Sequence, residues 1–291
     1  MVNAPEAADA PVPQPLLDEP QRLYLDLLKK TLTRFVVGQE PWQPVDPPRR
    51  ALKRLLFRPV AVLASAAGLR LAYQAPFDPA LREEGRDWPA DAETMIGLRR
   101  LDNLEATIVD AVRRSVPGDL VETGVWRGGA AIFMRGVLRA LGDTARRVWA
   151  CDSFAGLPPP DAGRYPKDAG DPHHTFSHLV VSLDQVRANF ARYGLLDDQV
   201  RFLPGWFRDT LPHAPIEDIA VLRLDGDMYE STMQALESLY PRLSPGGYLI
   251  VDDYGAVPAC REAVEDYRRE HGIDDQVHTI DWTGVYWRRT A

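Results

Sequence analysis

The chain has 291 residues, of which 45% are hydrophobic and 26% charged, so it is long enough and apolar enough to bury a substantial core. Its formal net charge of −8 argues against a nucleic-acid partner, because proteins that bind phosphate backbones need a basic surface. With two cysteines, no secretory signal and no apolar run long enough for a membrane span, we expect a cytoplasmic protein without disulfides or a membrane partner.

Helical segments are predicted before the first strand. Residues 1–20 contain five prolines and are predicted to be a disordered lead-in. From residue 21 leucines recur with helical spacing, and residues 49–58 form a basic amphipathic segment, which we interpret as a helix packed on its own domain rather than on a membrane or a partner. We interpret residues 21–110 as a helical and lid extension and residues 111–291 as the main domain. The apolar faces of the extension favour a homo-oligomer, a dimer or higher.

The end of the extension is predicted to be a loop over residues 85–97 that leads into a helix, with Asp91 as its N-cap. Trp88, Met95 and Ile96 lie in this loop. They suit two roles, packing in the core or covering a cofactor, and the sequence does not separate the two.

The main domain opens with a predicted strand at residues 119–123, a glycine-rich turn and a helix at residues 130–141. Such a turn lets the backbone approach a nucleotide-like ligand closely, although its spacing matches neither a dinucleotide fingerprint nor a phosphate loop. A second predicted strand ends at Asp152. A carboxylate there suits the two hydroxyls of a ribose, and it also suits a helix N-cap.

A long loop at residues 155–178 follows, with His173, His174 and His178 near its end. Loops of this length in compact domains are often lids or binding loops. The three histidines have no spacing typical of a zinc site, so we interpret them as substrate-contacting or exposed. After the next predicted strand, Trp206 suits stacking on an adenine ring or packing in the core.

Four carboxylates follow the next two strand-like segments, Asp225 and Asp227 after the first, Asp252 and Asp253 after the second. Ligands of open α/β sheets bind at the carboxyl ends of the strands, so we expect the four groups to meet there. They would repel one another unless some were protonated or a hard cation lay between them. The sequence therefore predicts a divalent metal site. The alternative for the first pair is a turn that caps the following helix.

Helices predicted at residues 231–243 and 258–270, and two short strands at residues 277–282 and 284–288, complete the pattern. Alternating strands and helices followed by a final strand pair predict an α/β fold of the class I methyltransferase (Rossmann-like) type. We expect a mostly parallel sheet with helices on both faces, plus the N-terminal helical extension and a lid.

Six stretches resemble the macrocin O-methyltransferase family, whose members depend on S-adenosylmethionine and magnesium and methylate sugar hydroxyls of macrolide and aminocoumarin antibiotics. The stretches are Tyr-Leu-Asp-Leu-Leu-Lys-Lys-Thr-Leu at 24–32, Thr-Met-Ile-Gly at 94–97, Val-Glu-Thr-Gly-Val-Trp-Arg-Gly-Gly at 121–129, Asp-Ser-Phe-Ala-Gly-Leu-Pro at 152–158, Gly-Trp-Phe at 205–207 and Asp-Gly-Asp-Met-Tyr-Glu-Ser-Thr at 225–232. They occur in order and span most of residues 21–290, so the resemblance covers nearly the whole chain.

The resemblance implies a binding site for S-adenosylmethionine. The residues that it assigns to this cofactor are Thr94, Met95, Glu122, Gly124, Asp152, Ser153, Trp206 and Asp225. Glu122 would face the methionine part, Asp152 the ribose and Trp206 the adenine.

The resemblance also implies a division of labour among the four carboxylates. Asp225, Asp252 and Asp253 would bind magnesium, and Asp227 would be the general base that takes the proton of the acceptor hydroxyl. A histidine in the loop at residues 173–178, or His278, is the alternative base.

Two other functions stay open at this point. A metal-dependent O-methyltransferase of a catechol-type phenol would use similar acidic ligands. A binding or scaffold protein that only keeps the fold is the third possibility, against which the full set of carboxylates argues.

Overall fold

The computed structural model describes residues 17–38, 42–45, 51–74 and 77–290, and in this part of the chain helices alternate with strands. The helices are α1 Glu19–Leu32, α2 Ala51–Ala66, α3 Pro79–Glu83, α4 Leu98–Arg113, α5 Gly129–Leu141, α6 Leu183–Arg192, α7 Phe207–Thr210, α8 Tyr229–Leu239 and α9 Pro258–Glu270. The strands are β1 Trp42–Pro44, β2 Ala72–Gln74, β3 Asp119–Thr123, β4 Val148–Asp152, β5 Val200–Pro204, β6 Ile219–Leu224, β7 Leu243–Val251, β8 His278–Thr279 and β9 Val285–Arg288.

A seven-stranded sheet in the order β5-β4-β3-β6-β7-β9-β8 forms the centre of the molecule. Strands β3 to β7 run parallel, whereas β9 pairs antiparallel with both β7 and β8. The predicted mostly parallel sheet with a final strand pair is confirmed. β1 and β2 form a separate antiparallel pair in the N-terminal part.

Two hydrophobic cores lie on opposite faces of this sheet, because successive side chains of a strand point to opposite sides. Leu120 packs on the face covered by α1, α4, α5 and α6, with Phe133 among its neighbours. Val121 packs on the face covered by α8 and α9, together with the fully buried Trp287. Burying each large apolar side chain contributes about 1.5–3 kcal/mol. The expectation of helices on both faces is thus confirmed.

The N-terminal helix α1 begins at Glu19, two residues before the predicted start. Asp18 and Gln21 form a capping box, in which each side chain accepts the backbone N–H of the other residue. Leu28 packs against α5, where a Cβ at Gly136 would come within 2.4 Å of it. The rest of the predicted lead-in, residues 1–16, lies outside the described residues.

The helix predicted to start after Asp91 begins later, because α4 has Gly97 as its N-cap. The chain crosses itself at this point: a Cβ at Gly97 would lie 2.2 Å from the backbone nitrogen of Gly85. The N-cap role for Asp91 was therefore wrong, and its backbone carbonyl instead accepts a hydrogen bond from Arg34. α4 runs through residue 110, the proposed domain boundary, and its buried side chains belong to the same core as those of α5.

Most of the predicted basic segment lies in α2, while residues 49 and 50 fall outside the described part of the chain. Val62 and Leu63 on α2 are 67% and 72% exposed, and Leu23 on α1 is 63% exposed. None of the described helices is both long and apolar enough to cross a membrane.

Candidate active site

Two adjoining cavities open at the carboxyl ends of β3, β4, β6 and β7. The first, which we call the glycine-turn cavity, is walled by the turn after β3, the end of β4 and Trp206. The second, the acidic cavity, has a volume of about 670 Å³ and contains Asp252 and Asp253. Asp225 and Asp227 line both cavities, so they stand at the boundary between them.

The turn after β3 brings the backbone close to the end of β6. Gly124 has φ +81°, and a Cβ built there would lie 1.5 Å from the backbone carbonyl oxygen of Asp225. Only glycine fits this contact. Trp126 and Phe154 adopt left-handed φ values of 46° and 53° without being glycine. Such strained conformations persist where the surrounding structure imposes them, and they are common at ligand sites.

Asp152 lines the glycine-turn cavity at the end of β4. Its two carboxylate oxygens accept the backbone N–H groups of Val125 and Phe154, each at 2.6 Å. Burial raises the pKa of Asp152, although the backbone N–H groups oppose this. The described residues directly after Asp152, 153–165, contain no helix, so the alternative role of Asp152 as a helix N-cap was wrong. Each carboxylate oxygen keeps a lone pair that can accept a hydroxyl of a ligand.

The loop before α4 divides its side chains between core and cavities. Ile96 is 4% exposed and packs in the core, whereas Met95 lines both cavities and Trp88 lines the acidic one. Thr94 is 7% exposed, and a Cβ at Gly129 would come within 2.5 Å of its Cβ, so it lies against the start of α5. Core packing is thus confirmed for Ile96, whereas for Met95 and Trp88, which stand in cavity walls, the covering of a cofactor stays a prediction.

Three further residues of the predicted cofactor set line the glycine-turn cavity, namely Gly124, Ser153 and Trp206. The Ser153 hydroxyl donates to the backbone carbonyl of Gly156 at 2.7 Å, which fixes the turn after β4. The walls of this cavity therefore come from the same strand ends that the sequence indicated.

Glu122 differs from these residues, because it is 1% exposed and does not line either cavity. Its Oε1 accepts a hydrogen bond from Arg223 at 2.5 Å. Its Oε2 has no hydrogen-bond partner among the residues described. Burial raises the pKa of Glu122 to about 8, with Arg223 acting in the opposite direction.

Glu122 is one end of a buried ion network that also contains Arg223, Asp252, Arg100 and Asp281. Arg223 reaches Asp252 at 2.5 Å and Asp225 at 2.9 Å. Arg100 pairs with the other oxygen of Asp252 and with Asp281, the latter at 2.9 Å. The network joins β3, β6, the end of β7, α4 and the segment before β9 beneath the acidic cavity.

The two arginines of this network did not emerge from sequence reasoning. Arg223 is a charged residue in a strand whose other five positions are apolar, and this was a usable signal. Arg100 had no such signal, because its contacts depend on how α4 lies across the end of the sheet.

The acid cluster contains the three predicted metal ligands. Asp225, Asp252 and Asp253 each offer a carboxylate oxygen, and these atoms lie within 4.8 Å of one another. Asp227 does not belong to this group. Its backbone N–H donates to Asp253 at 3.2 Å, and its φ of 55° is left-handed. The three predicted metal ligands thus lie together with Asp227 beside them, and the division of roles among the four stays a prediction.

The charges in the cluster are unevenly balanced. Burial, followed by the nearby Asp252, raises the pKa of Asp225 to about 7. Burial and the neighbouring carboxylates raise the pKa of Asp253 well above its usual value, and Asp253 makes no ion pair with any described residue. For Asp252 burial acts in the same direction, but Arg100 and Arg223 outweigh it and lower the pKa. Three oxygen ligands with excess negative charge fit a hard divalent cation.

The histidines proposed as alternative bases lie in different places. His173 and His178 line the acidic cavity, whereas His278 lies in β8 against Tyr286 and lines neither cavity. Nδ1 of His173 is 2.9 Å from each carboxylate oxygen of Asp171. Burial raises the pKa of Asp227, and His173 opposes the shift.

A capping residue that the sequence did not indicate is Asp168, in the loop before α6. Its carboxylate accepts the backbone N–H groups of Tyr229 and Glu230 at 2.7 and 2.9 Å. Met228, the residue at the N-cap position of α8, makes no side-chain hydrogen bond there. Asp168 thus caps α8 from a distant loop, and the alternative in which Asp225 and Asp227 cap this helix was wrong.

Comparisons with known proteins agree on one family. The sequence profile of the macrocin-O-methyltransferase (TylF) family matches residues 21–289. The chain is 52% identical to the 8-demethyl-8-(2,3-dimethoxy-alpha-L-rhamnosyl)-tetracenomycin-C 4'-O-methyltransferase of Streptomyces olivaceus, over 95% of this chain and 96% of that one. It is 49% identical to the mycinamicin III 3''-O-methyltransferase of Micromonospora griseorubida, over 92% and 97%. The solved structure of the O-methyltransferase NovP superposes with a TM-score of 0.79 at 47% identity, covering 93% of this chain and all of that one.

Proposed function

Because the chain belongs to the macrocin O-methyltransferase family and is an O-methyltransferase, we propose that it transfers the methyl group of S-adenosylmethionine to a sugar hydroxyl of a glycosylated natural product, of macrolide or aminocoumarin type. The observation that carries this proposal is the position of Asp225 and Asp227 in the walls of both cavities. A donor in one cavity and an acceptor in the other would meet at these two residues. The relatives support the acceptor class, since one is named for a rhamnosyl compound.

The glycine-turn cavity would hold S-adenosylmethionine, which supplies an electrophilic methyl group. Asp152 offers free lone pairs for the ribose hydroxyls, and Trp206 offers an aromatic face for the adenine. The methionine part would lie toward Glu122, whose Oε2 has no hydrogen-bond partner among the described residues, although Glu122 does not itself line the cavity. Met95, which lines both cavities, would cover the ligand near the sulfonium.

Asp225, Asp252 and Asp253 would hold magnesium. When bound, the ion supplies Lewis-acid polarisation of the acceptor hydroxyl and relieves the repulsion among the carboxylates. Arg100 and Arg223 hold both oxygens of Asp252 in place from below, so that ligand is oriented before any cation arrives.

Asp227 would act as the general base. Its carboxylate lies outside the three-oxygen group and stays available for a proton, while its backbone is tied to Asp253. A sugar hydroxyl is a weak nucleophile at neutral pH, and removal of its proton as it attacks raises its reactivity. Asp227 would orient the hydroxyl toward the donor cavity and accept this proton.

The test is a methyl-transfer assay with glycosylated macrolides and aminocoumarins, read by mass spectrometry as the gain of one methyl group. A catechol is included in the same assay as the competing acceptor class. Methylation of a glycoside at the sugar supports the proposal, and methylation of the catechol alone would replace it with the phenolic function.

Calorimetry separates catalysis from a scaffold role. We expect the protein to bind S-adenosylmethionine, and we expect magnesium to bind with an affinity that falls when Asp225 is changed to Asn. Failure to bind the cofactor at all would contradict both methyltransferase functions.

The proposal extends to location and assembly. Cys151 and Cys260 are both free thiols in the structure, which suits a cytoplasmic enzyme. A homo-oligomer is supported by exposed apolar side chains on α1 and α2, among them Leu23 and Leu63. Light scattering should show a dimer or larger species, and Leu63→Asp should shift it toward the monomer if α2 lies in the interface.

A further inference from the structure

Three large aromatic side chains are exposed in the wall of the acidic cavity. Trp88 is 52% exposed, and Phe176 and Trp282 are each 37% exposed. They come from three separate parts of the chain: the loop before α4, the long loop before α6, and the turn before β9. Side chains of this size are usually well buried, so three of them at one opening require an explanation.

The two indoles are held in fixed orientations. Trp88 donates its ring N–H to the backbone carbonyl of Gly85 at 2.9 Å, and Trp282 donates to the adjacent carbonyl of Glu84 at 2.8 Å. The guanidinium of Arg86 lies 5.0 Å from the centroid of the Trp282 ring. Trp88 and Trp282, almost 200 positions apart in the chain, are thus both hydrogen-bonded to the segment 84–85. Much of each ring surface is still exposed to solvent.

Phe176 stands on the loop that contains His173 and His178. Its ring stacks on His178, with centroids 5.6 Å apart and an angle of 16° between the planes, and makes an edge contact with His173. The loop is held on both sides of Phe176. Before it, Asp168 accepts a hydrogen bond from the backbone of Tyr229, and after it the backbone carbonyl of His178 accepts the indole N–H of Trp126 at 2.8 Å. This aromatic ring is therefore also supported by its neighbours.

We propose that Trp88, Phe176 and Trp282 form a binding subsite for the aglycone, the apolar ring system that carries the acceptor sugar. This inference rests on the proposed function, and it adds the residues that recognise the second half of the substrate.

The location follows from the chemistry of the cavity. The inner wall contains Asp225, Asp252 and Asp253, whose carboxylate oxygens favour hydroxyls and a cation and disfavour an apolar ring. A glycoside whose sugar reaches Asp227 must extend its aglycone toward the opening. There it meets aromatic faces that can stack on it, and because the rings are already oriented, little conformational freedom is lost on binding.

The experiment compares two acceptors that share a sugar. One is a glycoside that the wild-type enzyme methylates, and the other is the methyl glycoside of the same sugar, which lacks the aglycone. We expect Trp282→Ala and Trp88→Ala each to raise KM for the full glycoside about tenfold, the amount expected for the loss of one stacking contact. KM for the methyl glycoside and for S-adenosylmethionine should change little, because neither touches the subsite.

Matched variants control for damage to the fold. Trp282→Phe keeps an aromatic ring and should retain most of the affinity. Leu81→Ala removes an apolar side chain that is 43% exposed on α3 and lines neither cavity, and it should leave both acceptors unchanged.

The outcomes are distinct. A rise in KM confined to the full glycoside supports the subsite. Equal effects on both acceptors, or no effect on either, would overturn it while leaving the sugar methyltransferase intact. If the wild-type enzyme methylates no glycoside, the proposed function fails and the subsite is rejected with it.

Discussion

The ends of β3 and β4 differ from the ends of β6 and β7 in how they neutralise carboxylates. Asp152, at the first pair, is held by backbone N–H groups, which are fixed dipoles that leave its remaining lone pairs free. At the second pair, Asp225, Asp252 and Asp253 crowd together. Guanidinium groups offset Asp225 and Asp252, whereas Asp253 has one backbone N–H and no ion-pair partner among the described residues. The first half suits a ligand that donates hydrogen bonds, and the second half suits a cation.

The largest expected effect is on turnover and concerns Asp227, which belongs neither to the contacts around Asp152 nor to the three-carboxylate cluster. Asp227→Asn should lower turnover by about 10²- to 10⁴-fold, the range expected for loss of a general base. Calorimetry should show nearly unchanged affinity for the cofactor and for magnesium. The matched variant Asp225→Asn should lose magnesium affinity as well. If Asp227→Asn retained turnover, the role of base would pass to His173.

The second expected effect concerns the guanidinium shared by both halves. Arg223→Met leaves Glu122 and Asp252 buried with less positive charge, and breaking such a buried pair costs about 3–5 kcal/mol of unfolding free energy. Urea denaturation followed by circular dichroism would measure the loss. Arg114→Met, which removes an exposed ion pair with Asp110, is the control and should leave the transition midpoint nearly unchanged. Similar midpoints for both variants would show that the network does not stabilise the fold.

A smaller effect is expected where the long loop meets the acidic half. Asp168→Ala removes the cap of α8 and should cost about 0.5–2 kcal/mol of unfolding free energy. Asp168→Asn has a single accepting oxygen, so it can keep one of the two N–H contacts and should recover part of this loss. Equal losses in the two variants would mean that charge, rather than capping, is the important contribution.

The smallest expected effect is the pH dependence of stability that Asp225 contributes. The pKa of Asp225 rises from its usual 3.8 to about 7 on folding. Its contribution to stability is therefore fully present below about pH 4 and is lost progressively as the pH rises from there through 7. Between pH 6 and 8 the unfolding free energy of the magnesium-free protein should fall by about 1 kcal/mol from this group.

Asp225→Asn is the control for this pH effect. Thermal or urea unfolding at several pH values should show a shallower slope for the variant than for the wild type. Identical slopes would mean that Asp225 does not titrate in this range.

Much of the fold followed from local patterns. β3 and α9 have the predicted bounds, because clear turn or capping residues mark where each element begins and ends. The acid cluster was predictable as well, since strand ends of a parallel sheet converge at one edge.

The features that sequence reasoning missed depend on tertiary contacts. Asp168 reaches α8 from a loop about 60 residues earlier, and Arg100 depends on the tilt of α4. The wrong N-cap at Asp91 has the same origin: the crossing of the chain at Gly97 sets where α4 begins, and no local signal reports a crossing.

The contact between Gly124 and the carbonyl of Asp225 also bears on how this scaffold can diversify. With no space for even a methyl group between the turn after β3 and the end of β6, the walls of the two cavities are rigidly joined here, and neither wall can be reshaped without disturbing the other. New acceptors are more readily accommodated by exchanging side chains at the opening, where Trp88, Phe176 and Trp282 stand on separate segments. Directed evolution toward a different glycoside should therefore begin at the opening and leave the contact between Gly124 and Asp225 unchanged.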